Sequence, residues 1–454
     1  MANIETRYFK NINDIRDFLK LSKPVFFHGS QTSMVVPYEK IEQFCLQENI
    51  DSFLMGDLNQ MPPVCEVDDN GVLTIRGSIT WKEGREFAQT KGRNILTSPT
   101  EELAALLSGI ATSCTGERCF GFGTYRDHLI EVTYLDHQGE LKTLRHENLL
   151  IDHELFQSEE ARKLLTDYQK SYEFYSQFKN APFPRLERET DLMTGTEGQL
   201  GVIIEAKIKT APLENVTYIF LTLPKWEEDY SLHLRVFDKV QNLRDKIFSV
   251  ELIDENSWSY LPQEMIPRPA KDIIFLEIAD KHFDEIYESV LAHLPELSED
   301  DIFQVNERKC KDLRMEIPRA VFESNSKMGV TKKGTDVQVT PERFQSLMDY
   351  YRKMTNVPFE YNLFGHFGDA HLHFNYMPKP EQVEAAQEML EEMYKWVKEE
   401  KGSPFAEHGI GLLKKRFIWP FYEDVHFQMF AYLKKKMDPQ NLFFPHGFMS
   451  MKKG

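Results

Sequence analysis

Apolar and polar positions alternate between two periods along this chain, and the change of period marks its elements. Residues 11–22, "NINDIRDFLKLS", carry Ile12, Ile15, Phe18 and Leu19 at helical spacing and end at Ser-Lys-Pro. "PVFFHGSQTSM" follows, a short apolar run stopped by Gly29, which predicts a strand and a glycine turn. "EKIEQFCLQENI" predicts a helix, "GVLTIRGSI" alternates as a strand does, and "TWKEGREFAQTKG" predicts a helix closed by Gly92. Residues 105–126 are small and glycine-containing. "HLIEVTYLDHQGELKTL" predicts a hairpin around "HQGE", residues 154–178 a polar helical stretch, and "QLGVIIEAKIKTAPL" a strand ending at Pro212.

The character changes after Pro212. "NVTYIFLTLP", "IFSVELIDENSW", "KDIIFLEIAD" and "LFGHFGDAHLHFNYMP" predict strands. Helices "DYSLHLRVFDKVQNLRDK", "DKHFDEIYESVLAHL" and "RFQSLMDYYRKM" lie between them, so a second α+β domain with an antiparallel sheet is expected. An acidic amphipathic helix over 380–400 stops near Gly402, and the tail holds a glycine cluster and a last helix before "DPQNLFFP".

Composition narrows the class. The chain has 454 residues, 41% hydrophobic and 28% charged, as soluble globular proteins do. The 33 phenylalanines are read as core packing. A net charge of −18 argues against a nucleic-acid partner, which needs a positive surface. Lys434, Lys435, Lys436, Lys452 and Lys453 make the tail locally basic, which leaves two readings: a solvated tail or weak contact with an anionic membrane. Five scattered cysteines fit a reducing compartment. "MANIETRYFKNIND" lacks an apolar signal core, and no apolar run is long enough for a membrane span. A cytoplasmic protein is expected, soluble or bound peripherally to a membrane.

Chemistry gathers in two patterns. Three clusters, "HGSQTSM" (28–34), "LSGIATSCTGERCFGFGT" (107–124) and "GTEGQLGVI" (195–203), are short of side chain and flank strands. Such loops let backbone N–H groups approach a phosphate or ring edge. "FGHFGDAHLHFN" (364–375) places His371 and His373 on one strand face, with His366 across a Gly-Asp turn and Glu407 further on. Two histidines and a carboxylate suit zinc or manganese, and histidines in a polar turn can equally be hydrogen-bonded only.

Six blocks in order resemble the FAD-linked oxidases of the vanillyl-alcohol oxidase / p-cresol methylhydroxylase (PCMH) fold, and more narrowly the D-lactate / glycolate / D-2-hydroxyglutarate dehydrogenase branch. They are "GSQTS" (29–33), "SGIATSCTGERCFGFGTYRDHLIEV" (108–132), "GTEGQLGVI" (195–203), "GHFGDAHLHFN" (365–375), "EHGIGLLK" (407–414) and "DPQNLFFPHG" (438–447). The resemblance implies an α+β fold: a two-subdomain PCMH-type FAD-binding domain over 5–212, a substrate-binding α+β cap with an antiparallel sheet over 213–400, and a segment over 401–454 returning to the flavin. It implies FAD contacts at Gly29, Ser30, Gln31, Thr32, Ser33, Ser108, Gly109, Ala111, Thr112, Gly116, Gly123, Glu197, Gly198, Gly201 and Val202.

It also implies a divalent metal on His366, His373 and Glu407, a general base at His408, and a carboxylate-binding arginine at Arg314 with Lys333 as a second positive group. The expected reaction is oxidation of a small anionic D-2-hydroxy acid, with hydride passing to the flavin and electrons leaving to a separate acceptor. A homodimer is compatible with the family. The blocks depart from the family pattern at Ala370-His371, where Gly-Asn is usual, and at Phe444, where asparagine is usual. His371 adds a candidate catalytic group and is similar to the histidine cluster of alkyl-dihydroxyacetone-phosphate synthases. That sister activity, a sugar-oxidising flavoenzyme, and a non-catalytic flavin-binding subunit are the alternatives.

Overall fold

Asn3–Tyr8 and Ser52–Asp57 pair in parallel, although neither segment shows a clear alternation, and Phe26–His28 adds to the far edge of Ser52–Asp57. Helix Ile12–Leu19 leads from the first of these strands, and the Asn11 side chain caps it by accepting from the N–H groups of Asn13 and Asp14. The computed structural model describes residues 2–268, 271–330 and 332–451. They form two units: 2–115, 124–213 and 407–451 make the first, and 116–123 with the described residues of 214–406 the second.

The first unit contains a second, antiparallel sheet in the order Val64–Val67, Val72–Arg76, Val202–Pro212, Leu129–Leu135, Leu141–Arg145. Arg93–Ile95 also pairs with the long strand Val202–Pro212. The expected hairpin around "HQGE" is present, and the Asp136 side chain accepts from the Gln138 and Glu140 backbones to close it. Helix Trp81–Thr90 opens on a capping box of Thr80 and Glu83.

The C-terminal return is stitched into the same unit. Val25 bridges Phe443, and Leu412 and Leu413 donate to the Val35 carbonyl. Phe443 and Phe444 then enter two different apolar clusters, with Leu19 and Val202 in one and Phe26 and Leu412 in the other. Phe444 holds φ at +43°, a left-handed conformation costly for a bulky residue, which explains why asparagine suits this position in the resembled block. Its ring lies 4.4 Å from that of Phe26, so burial offsets the strain.

Lys434 is buried, unlike the solvated or membrane-facing residue the basic tail suggested. Its ammonium donates to Asp438 at 2.6 Å and to the carbonyls of Gln199 and Phe443 at 3.0 Å each. Lys452 and Lys453 lie outside the described residues.

In the second unit, one antiparallel sheet runs Ile302–Val305, Val216–Leu223, Asp272–Ala279, Ile247–Ile253, Glu360–Gly365, His371–Met377, Lys333–Gly334, with Val337–Gln338 also on His371–Met377. Helix Glu307–Lys327 covers one face through Cys310, Leu313, Ile317 and Val321, against stacked Phe220 and Phe275. Pro318 lies inside this helix, where it has no N–H to give the carbonyl of Arg314. The run read as one strand over 363–378 is a hairpin instead. It breaks at 366–370, where Ala370 takes φ +52°. Among the described residues, no helix is long and apolar enough to cross a membrane.

Candidate functional site

The first unit brings together most of its glycine-rich clusters. Strand Phe26–His28 delivers Gly29 against the start of helix Leu106–Ala111. A Cβ on Gly29 would stand 2.5 Å from Ala105 Cβ and 2.7 Å from Ser108 Oγ, so only glycine permits this approach. His28 and the Asn59 amide hold the Gly29 carbonyl at 2.9 Å each. Beyond it, Gln31 takes φ +57°, and Gln31 and Thr32 are exposed while Ser30 and Ser33 are half-buried. The third cluster joins the second: Glu197 N–H donates to the Ala111 carbonyl at 2.7 Å, and Gly195 N–H donates to Ile110.

The Glu197 carboxylate then ties in the return segment. Its oxygens accept from Ile410 N–H at 2.6 Å and from Gly411 N–H at 3.0 Å. Burial pushes this carboxyl up to about 7, against the opposing pull of those two N–H groups. Gly409, at φ +77°, leaves room for Glu197 Oε1 where a Cβ would lie 2.8 Å away.

Other implied cofactor contacts have packing roles. A Cβ on Gly201 would meet the Tyr134 ring at 2.5 Å and the Leu135 carbonyl at 2.9 Å. The Val202 side chain lies in the apolar core. Gly116 and Gly123 bound the short segment that belongs to the second unit. Small residues drawn together with glycine cradles and left-handed turns fit a cofactor carrying phosphate and ring edges.

The second unit gathers the histidines. His371 and His373 stand on one strand with ring centroids 4.7 Å apart, and the His366 ring lies 5.3 Å from His371 and 6.0 Å from His373. All three are buried. Each imidazole has an oxygen partner: His366 Nδ1 and Glu251 Oε1 at 2.9 Å, His371 Nε2 and Asp336 Oδ1 at 3.2 Å, and His373 Nδ1 and the Thr335 carbonyl at 3.1 Å. Imidazole and carboxylate donors of this kind fit a divalent transition ion.

Arg314 is buried too, and it meets carboxylates of the protein itself. Nη2 lies 2.9 Å from Glu251 Oε1 and Nη1 3.4 Å from Glu117 Oε2. Burial opposes the Arg314 charge, but Glu117 and Glu251 outweigh it and hold the guanidinium protonated. A second pair lies on the neighbouring strand. Burial would raise the Glu277 carboxyl, yet Arg118 at hydrogen-bond distance, with Tyr218 OH, draws it down to about 2. Lys333 Nζ donates to Gln387 on helix Val383–Glu399. Glu407 and His408 open the segment that belongs to the first unit.

Sequence reasoning passed over Glu117, Glu251, Asp336 and Asn59. Glu251 sits in "SVELID", an apolar strand where one acidic residue on the inward face was the available signal. Asp336, two residues before Gln338 in "GTDVQV", carried none.

Residues 216–446 match the family described as FAD linked oxidases, C-terminal domain. A probable mitochondrial D-2-hydroxyglutarate dehydrogenase of Oryza sativa subsp. japonica is 24% identical over 269 residues, 56% of this chain and 47% of that protein. The mitochondrial D-lactate dehydrogenase (cytochrome) of Kluyveromyces lactis is 21% identical across 96% of this chain and 72% of that protein. The chain spans about half the length of the first of these relatives. Among solved structures, an alkyldihydroxyacetonephosphate synthase superposes with a TM-score of 0.64 at 14% identity, over 96% of this chain and 76% of that one, which shows a shared fold.

Proposed function

Because the chain belongs to the FAD linked oxidases, we propose that it is an FAD-dependent oxidoreductase. On this reading it oxidises a small D-2-hydroxy acid, of the D-lactate, glycolate or D-2-hydroxyglutarate type, to the 2-oxo acid. The observation that carries the reading is the meeting of residues 29–33, 105–112, 195–198 and 409–411 in one unit, tied by Glu197 and by the close approach at Gly29.

Gly29 to Ser33 would hold the cofactor through backbone N–H groups, and Ser108 to Thr112 would line it through the Ser108 hydroxyl and small side chains, since the Gly109 and Thr112 N–H groups already go to the Ala105 and Ser108 carbonyls. When bound, the flavin supplies a hydride-accepting ring, and a divalent ion supplies positive charge that eases loss of the substrate's hydroxyl proton. Arg314 orients the anionic end of the substrate, at the expense of its contacts to Glu117 and Glu251. The His408 imidazole takes the hydroxyl proton, since imidazole titrates near neutrality. A separate acceptor would be needed to take the electrons from the bound cofactor.

One observation favours a second reading. Position 371 holds a buried imidazole where the resembled block has asparagine, its ring 4.7 Å from that of His373. This enlarged histidine cluster is similar to that of an alkyl-transferring flavoenzyme of the same fold. An anaerobic flavin absorbance titration separates the two. D-lactate, glycolate and D-2-hydroxyglutarate are added in turn, with L-enantiomers as controls. Bleaching by one D-acid supports the dehydrogenase. A bound flavin that no hydroxy acid reduces removes it and leaves alkyl transfer or a non-catalytic flavin-binding subunit.

A further inference from the structure

We propose that Glu117 selects the substrate by charge: it occupies one edge of Arg314 until a carboxylate replaces it there, and it favours acids with one carboxylate over acids with two. The inference rests on the reading of Arg314 as the group that orients an anionic substrate, and it lies within the second unit.

Glu117 falls in the second glycine-containing block, which the resemblance gives to the cofactor, yet its carboxylate stands beside Arg314. The two glutamates meet that guanidinium on different terms. Glu251 Oε1 is 2.9 Å from Nη2, the length of a charge-assisted hydrogen bond, and the same oxygen is 2.9 Å from His366 Nδ1. Glu117 Oε2 is 3.4 Å from Nη1, long for such a bond, and its side chain keeps 17% exposure where that of Glu251 keeps 7%. A permanent buried pair in this chain looks different: Arg126 and Asp191 make two hydrogen bonds, at 2.5 and 2.7 Å, and both are buried. By that standard Glu251 is a fixed partner of Arg314 and Glu117 a replaceable one.

The backbone around Glu117 is held independently of its side chain. Arg118 takes φ +65°, and its Nε lies 3.1 Å from both carboxylate oxygens of Glu277. A Cβ on Gly121 would stand 2.5 Å from the Ile247 carbonyl oxygen, so the segment lies close against the strand that carries Glu251. Exchange therefore needs only a rotation of the Glu117 side chain, and the arriving carboxylate takes over the ion pair on Nη1.

Charge then decides which acids are accepted. Glu277 neutralises Arg118 and Glu251 neutralises Arg314, which makes Glu117 the surplus negative charge of these five groups. A substrate with one carboxylate replaces Glu117 on Arg314, one anion for another. A second carboxylate arrives where both guanidiniums already have partners and where Glu117, tethered beside Arg118, stays near. Like charges at such range in a partly desolvated site weaken binding by about tenfold or more. Lys333, the other cation that the resemblance implies, has its ammonium on Gln387. The favoured class is a 2-hydroxy acid whose remainder is uncharged, as in D-lactate and glycolate, over D-2-hydroxyglutarate.

The test uses the full chain as wild type, Glu117→Gln and Glu117→Asp, with melting curves to confirm folding. Anaerobic flavin reduction is followed against the concentration of D-lactate, glycolate and D-2-hydroxyglutarate, which gives an apparent dissociation constant and a limiting rate for each. Calorimetry with the corresponding 2-oxo acids, pyruvate and 2-oxoglutarate, reads the same selectivity without hydride transfer. Wild type is expected to bind the acids with one carboxylate at least about tenfold more tightly than the acid with two. Glu117→Gln removes the competing charge. It is expected to tighten pyruvate and D-lactate about tenfold, to narrow the gap between the two classes, and to act on the dissociation constant rather than on the limiting rate. Glu117→Asp keeps the charge and is expected to keep the gap. A folded Glu117→Gln that binds pyruvate no more tightly than wild type overturns the proposal. So does a wild type that takes 2-oxoglutarate as readily as pyruvate, the result if Lys333 receives the second carboxylate. Both outcomes leave the dehydrogenase reading standing when a D-acid bleaches the flavin. A flavin that no D-acid bleaches removes that reading, while tighter pyruvate binding in Glu117→Gln still supports the role of Glu117.

Discussion

Glu251 Oε1 lies 2.9 Å from Arg314 Nη2, so the guanidinium named from the sequence as a receptor for a substrate carboxylate is already paired with one. The same oxygen lies 2.9 Å from His366 Nδ1. One strand residue therefore positions both a candidate substrate contact and a candidate histidine ligand. Arg314→Met leaves the buried Glu251 and the half-buried Glu117 without this cation, which costs about 3–5 kcal/mol. Adding Glu251→Gln removes one stranded charge, so the double variant is expected to be more stable than Arg314→Met alone. Denaturant melts of wild type, both singles and the double give the coupling energy. Additive losses would show that the pair is not coupled.

Lys434 and Lys435 are adjacent, and the structure separates their roles. Lys434 is enclosed by Asp438 and two carbonyls, and its removal strands the Asp438 carboxylate. Lys435 is exposed. Lys434→Met is expected to lower stability by about 3 kcal/mol or more, as for other broken buried pairs. Lys435→Ala is expected to stay within about 0.5 kcal/mol. Thermal melts distinguish them. Equal effects would restore the view of this run as plain surface charge.

Gly201 was grouped with the cofactor loop by resemblance, and the structure gives it a packing reason. Its missing Cβ is the space occupied by the Tyr134 ring and the Leu135 carbonyl, and a backbone atom yields little. Gly201→Ala is expected to cost about 1–3 kcal/mol through overpacking. Flavin content per folded molecule should stay unchanged. A folded variant that has lost flavin without a lower melting temperature would show that the loop contacts the cofactor directly at this position.

The contrast between legible and illegible features follows from where the signal resides. Strand Val202–Pro212 and the hairpin after it in the sheet were readable because period-two alternation and the "HQGE" turn are local. Asn3–Tyr8 was not, because it is an exposed edge strand whose pairing with Ser52–Asp57 is decided by a partner some fifty residues away. Helix Glu307–Lys327 carries many polar residues and an internal proline, so its apolar stripe of Cys310, Leu313, Ile317 and Val321 was masked. The three histidines announced themselves as a cluster within one short block. Their carboxylate partners did not, since Glu251 and Asp336 reach them only through strand pairing. Composition shifts at Pro212, beside one border between the units at Leu213 and Glu214, while the assignment of 116–123 and 401–406 to the second unit carries no local signal.

Glu197 makes the stability of the first unit depend on pH in a definite direction. Its carboxyl is raised from an ordinary value near 4.5 to about 7, chiefly by burial. Below about pH 4 the group is protonated both in the folded and in the unfolded chain, and its contribution is fully present. Between about pH 4.5 and 7 the unfolded chain releases the proton while the folded one keeps it, so stability falls as pH rises, and the loss is complete above the folded value. The shift corresponds to about 3 kcal/mol at most, less to the extent that water reaches the half-buried group. Glu197→Gln removes the titration and keeps an amide oxygen for Ile410 N–H. Its melting temperature is therefore expected to match wild type near pH 5 and to exceed it at pH 8. Melting curves from pH 5 to 8 check this. A wild type and a variant that decline in parallel would show that the carboxyl ionises in the folded chain as it does in water.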